Sequence, residues 1–98
     1  MSNLRCTVLE LVTDAATELN ATEPEQIPLD RGELAPIYGK DGVLDSLGLV
    51  TFILLVEERL EDKIGRRIPL TDDRALSRFR SPFRTIGSVT DYVAELAA

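Results

Sequence analysis

Between Ser46 and Ile64 the chain carries apolar side chains around more than half of a helical wheel. This pattern limits the fold more than any other feature. With Ser46 at zero, Leu49, Phe52, Ile53, Val56 and Leu60 fill an arc from roughly −120° to −20°, while Val50, Leu54 and Leu47 extend it to about +100°. The whole arc is roughly 220°, twice the width that one buried face requires. Such a helix is surrounded by neighbours or keeps an apolar strip for another molecule. Asp45 or Ser46 is suited to accept hydrogen bonds from the unpaired amides of the first turn, and Gly65 to close the last one. The expected helix therefore runs from Ser46 to Asp62 or Ile64.

A second helix is expected at residues 3 to 20, where Leu4, Val8, Leu11, Val12, Ala15 and Leu19 recur at spacings of three and four. Pro24 stops it, because proline lacks an amide hydrogen and disfavours helical angles in the residue before it. From Pro24 to Asp45 no period persists, and Pro28, Gly32, Pro36, Gly39 and Gly42 punctuate the segment. Long connections of this kind are frequently functional. Its apolar residues, Ile27, Leu29, Leu34, Ile37 and Tyr38, are expected to pin it against the helices as an ordered loop. A short helix is expected at Asp72 to Phe79, broken by Ser81-Pro82. A last helix, capped by Thr85, should present Ile86, Val89, Val93 and Leu96 to the core. The expected fold class is all-α: one domain over residues 1–98, with three main helices, a short third one and a long early loop.

Composition narrows the chemistry. The chain has no histidine, so a histidine-based triad, an imidazole base and a histidine-containing metal site are excluded. No metal site is expected. Its one cysteine, Cys6, has no partner for an internal disulfide and is read as a small apolar filler on the first helix. No segment approaches the roughly 18 apolar residues of a membrane span, and residues 1–5 lack the apolar core of a secretory signal, so a cytoplasmic location is expected. Residues 1–65 hold thirteen acids against five bases, whereas residues 66–98 hold four acids against six arginines, at 66, 67, 74, 78, 80 and 84. The acidic body argues against nucleic acid and for protein partners with basic surfaces. The arginines, without interleaved aromatic rings, read as a solvated and partly paired surface.

The residues around Ser46 resemble those of the small carrier proteins that bear a 4'-phosphopantetheine arm, including the acyl carrier proteins of fatty acid and polyketide synthesis. Asp45-Ser46-Leu47 is similar to the family's attachment motif at the start of its second helix. Val56-Glu57-Glu58, followed by apolar Leu60, is similar to the acidic continuation of that helix. Ile68-Pro69 followed by acids resembles the approach to the family's short third helix, and Thr85-Ile86 with Asp91-Tyr92-Val93 resembles its last helix. The likeness spans almost the whole chain.

The resemblance implies a four-helix acyl-carrier-like bundle, monomeric and not itself catalytic. A phosphopantetheinyl transferase would attach the arm to Ser46, with Asp45 completing the recognised motif. Acyl intermediates would travel as thioesters on the arm, loaded by an acyl or aminoacyl ligase or transferase and passed to downstream synthase enzymes. Leu47, Val50, Leu54, Glu57, Glu58 and Glu61 would form the docking surface, and Phe52, Ile53 and Val56 the lining of an acyl cavity. Gly48 and Thr51 stand where many fatty acid carriers have acids, and the arginine-bearing stretch between the second and last helices is longer than in compact members. A specialised lipid, polyketide or secondary-metabolite pathway is therefore favoured over bulk fatty acid synthesis. Gly42 to Gly48 is also similar to the motif of D-alanyl carriers, which keeps an aminoacyl or peptidyl carrier as an alternative. An alternative of another class is a non-catalytic helical interaction module in which Ser46 only starts a helix.

Overall fold

The computed structural model describes residues 3–22, 26–39, 42–70 and 82–97. Within them the chain forms α1 (Asn3–Asn20), a 3-10 segment (Leu29–Leu34), α2 (Ser46–Ile64) and α3 (Ile86–Ala97). The all-α expectation holds, and α1 and α2 occupy the limits read from the sequence. The expected short helix at Asp72 to Phe79, with Arg74 and Arg78, and Arg80 beyond it lie outside the described residues.

Packing follows the apolar periodicity. Val8, Leu11, Val12, Ala15 and Leu19 of α1 are buried, with Leu4 half-buried at the first turn. Cys6 is exposed, contrary to its reading as a filler. It lies two residues before Val8, about 200° away around the helix, so it faces away from the core. In α3, Ile86, Val89 and Val93 are buried, but Leu96 is 36% exposed and Ala97 takes the inner position, four residues after Val93. A spacing of four continues the buried face as well as a spacing of three, and the smaller side chain holds it here.

α1 packs against α2, α3 and the 3-10 segment. Among the described residues α2 and α3 do not approach backbone to backbone; aromatic rings join them. Phe52 of α2 meets Phe83 edge-on at 6.4 Å between ring centroids, and Phe83 meets Tyr92 of α3 in the same way at 5.6 Å. Phe83, fully buried just before α3, thus bridges the two helices through its ring.

The described part of the early loop is held by local bonds. The Asn20 side chain accepts from the Ile27 amide at 2.8 Å and donates to the Ile27 carbonyl at 3.1 Å, folding the chain back after α1. Ile27, Ile37 and Tyr38 are buried and Leu29 packs against the core, as expected of a pinned loop. Leu34 is the exception at 79% exposure. It closes the 3-10 segment, after which the chain runs extended, and alternation puts Ala35 and Ile37 inside while Leu34 and Pro36 face outward. Three short pieces then pair side by side. The Ile37 amide donates to the Arg84 carbonyl at 2.7 Å, the Ile86 amide to the Ala35 carbonyl at 3.1 Å, and the Leu44 amide to the Ile37 carbonyl at 2.9 Å. This small ladder carries the chain to the start of α2.

Candidate functional site

The start of α2 is held by its own sequence. Asp45 has extended backbone angles, and its carboxylate accepts from the Gly48 amide at 2.8 Å while its carbonyl accepts from the Leu49 amide at 2.9 Å. This is an N-cap, and it leaves the amides of Ser46 and Leu47 without an intramolecular partner among the described residues. Ser46 is the first helical residue and is exposed. Its hydroxyl has no hydrogen-bonded side-chain base among the described residues, since the nearest carboxylate in sequence, Asp45, is committed to the cap. At the far end Gly65 adopts the left-handed conformation, φ 77°, and its amide donates to the Glu61 carbonyl at 2.9 Å. That conformation favours glycine, which is what made the end of α2 readable.

The double-width apolar arc of α2 divides cleanly. Leu49, Phe52, Ile53, Val56 and Leu60 are completely buried, whereas Leu47 is 79%, Val50 39% and Leu54 49% exposed. The strip rises along the helix from the exposed serine, with Val50 and Leu54 at the fourth and eighth residues beyond it. Phe52, Ile53 and Val56 belong to the continuous packed core, and Phe52 is closed off by the edge of Phe83.

The acidic residues of α2 separate into two kinds. Glu58 and Glu61 are exposed. Glu57, expected beside them, is buried instead: it is 6% exposed, accepts from the Leu70 amide at 2.8 Å and lies 3.6 Å from the Arg67 guanidinium. On the wheel it falls at roughly +20°, between buried Ile53 and exposed Val50. The chain after Gly65 folds back across this border and covers it. Residue type signalled an outward acid, and only the course of residues 66–70 reveals an anchor. Arg67 also reaches to 3.9 Å from Glu61, and Arg59, outside the arginine-bearing stretch, pairs with Glu18 of α1 at 2.6 Å; of the six arginines of that stretch, Arg74, Arg78 and Arg80 lie outside the described residues.

The entry to α3 has a cap that the sequence reading identified only in half. Thr85 Oγ1 accepts from the Ser88 amide at 3.1 Å, and Ser88 Oγ accepts from the Thr85 amide at 3.0 Å, a reciprocal arrangement. Serine three residues after threonine was the available signal. No helix of the described residues is long and apolar enough to cross a membrane, and no group of three or more potential metal ligands occurs among them.

Comparison with known proteins found no matching family model, no matching curated protein and no matching solved structure.

Proposed function

We propose that the protein is an acyl carrier whose working residue is Ser46, the attachment point for a 4'-phosphopantetheine arm, in a specialised biosynthetic pathway. The observation that carries this reading is the exposed hydroxyl of Ser46 on the first residue of a long, firmly capped helix, at the foot of an exposed apolar strip. Carrying a covalent group asks for a nucleophile that another enzyme can reach and that does not wander, and the Asp45 cap supplies that order.

The residues fit the group. Amides at Ser46 and Leu47 that have no intramolecular partner among the described residues, together with the positive end of α2, favour a phosphodiester anion on the serine by about 0.3–1 kcal/mol at an exposed position. When bound, the arm supplies a terminal thiol on which acyl groups are carried. The chain's own task is then to present Ser46 and to be recognised. Leu47, Val50 and Leu54 offer a modest apolar patch, and Glu58 and Glu61 an acidic rim for basic residues of a transferase, a loading ligase or a downstream synthase. Small patches with screened charges favour short-lived complexes, and a carrier must leave each enzyme to reach the next.

The exposed strip by itself supports a second reading, a helical interaction module with no arm. Co-expression with a broad-specificity phosphopantetheinyl transferase and intact-mass measurement separates the two. The carrier reading expects one added arm on the wild type and none on Ser46→Ala. An unmodified wild type, or an arm retained by Ser46→Ala, rules it out.

A further inference from the structure

Away from the α2 strip, a groove of about 540 Å³ opens between the early loop and the start of α3. One wall comes from the extended run after the 3-10 segment, where exposed Leu34, half-buried Pro36 and buried Tyr38 line the groove and Ala35 and Ile37 between them lie wholly in the core. The other comes from Arg84, Thr85 and Ser88, and Arg31 of the 3-10 segment joins them at the rim. The walls are tied together by the Ile37 amide on the Arg84 carbonyl and the Ile86 amide on the Ala35 carbonyl. The groove is therefore a property of the fold and not of one flexible side chain.

Its charge sets it apart. In a chain of net charge −6, two arginines line this groove, and neither Arg31 nor Arg84 makes an ion pair among the described residues. Arg5, Arg59 and Arg67, in contrast, each face a carboxylate. Leu34, 79% exposed, stands at the lip and gives the groove an apolar shoulder beside its two cations. Guanidinium groups match the planar oxygens of carboxylates and phosphates, and the volume lies in the range of small-molecule sites.

We infer that this groove is a binding site for a small amphipathic anion, a phosphate ester or carboxylate with a short apolar body. Arg31 and Arg84 hold the oxyanion and Leu34 covers the carbon chain. The site does not depend on any group carried by Ser46.

The full-length protein, labelled with nitrogen-15, is titrated with butyl phosphate, butyrate and inorganic phosphate, reading the amide signals of Gly42, Thr85 and Ser88. Saturable shifts are expected with at least one of the organic anions, and the tighter of the two identifies the ligand as phosphate ester or carboxylate. The Arg31→Gln/Arg84→Gln double variant should lose about tenfold or more in affinity, since hydrogen bonds to charged groups are the stronger kind. Both side chains are exposed, so its melting temperature should match the wild type. Leu34→Ala should weaken butyl phosphate while leaving inorganic phosphate unchanged, and Ser46→Ala should bind all probes as the wild type does. The inference is overturned by an absence of saturable shifts, by shifts that survive the double arginine change, or by shifts seen only with an acidic peptide, which would make the groove a protein-docking surface.

Discussion

At the scale of single residues, Asp45 has a structural role that can be separated from the recognition role proposed for it. Its carboxylate caps α2 through the Gly48 amide. Asp45→Ala removes the cap and should lower stability by about 0.5–2 kcal/mol in urea unfolding, whereas Asp45→Asn, which still offers an oxygen acceptor, should remain near wild type. If Asp45 also serves the transferase that modifies Ser46, Asp45→Asn will be modified more slowly although it is folded normally. Equal stability of Asp45→Ala and wild type would show that the cap contributes nothing. Glu57 shows the opposite case, a carboxylate whose type gave no hint of its place. It satisfies a buried amide, that of Leu70, and only a chain that turns back after Gly65 supplies that amide.

At the scale of the element, α2 divides its apolar residues between a buried face and an exposed strip, and substitutions should separate them. Val50→Asp and Leu54→Asp place a charge on side chains that are already 39% and 49% exposed, and stability should change by no more than about 0.5–1 kcal/mol. Phe52→Ala empties a fully buried position against Phe83 and should cost about 3–5 kcal/mol. Chemical unfolding of the three variants checks the division, and comparable losses in all three would place the whole arc in the core. In a working carrier the two aspartate variants should also slow transfer to partner enzymes while keeping full helical circular dichroism. The limits of α2 were legible because the signals at its ends are local: an acceptor side chain before it and a glycine after it. The division of the arc was legible only as a surplus. Periodicity showed that there were too many apolar residues for one face, and the packing of α1 and Phe83 decides which of them the core takes.

At the scale of the whole molecule, what escaped the sequence is long-range. Leu34 read as a core residue because it is apolar in a loop with few such residues, yet extended alternation turns it outward; the direction depends on the pairing of residues 35–37 with 84–86. The groove was hidden for the same reason, since Arg31 and Arg84 come to line one groove only through that pairing. A third long-range feature joins three elements at one cation. Arg5 of α1 donates to Glu33 of the 3-10 segment at 2.5 Å and to Asp91 of α3 at 2.8 Å. These are charge-assisted bonds at the surface, and the Arg5 guanidinium holds the Glu33 carboxyl below its usual range. A carboxyl depressed in the folded state binds fewer protons there than in the unfolded chain. Its contribution is therefore complete above the ordinary glutamate value of about 4.3 and disappears as the pH falls through the lower folded value. Glu33→Gln removes the charge and keeps most of the shape. The melting temperature of the wild type should exceed that of Glu33→Gln at neutral pH, by a small margin because all three side chains are solvent-exposed and screened. That margin should narrow below about pH 4 and shrink with added salt at neutral pH. A margin that ignores both pH and salt would mean that Glu33 acts through packing alone, and the joint between α1, the early loop and α3 would then owe nothing to charge.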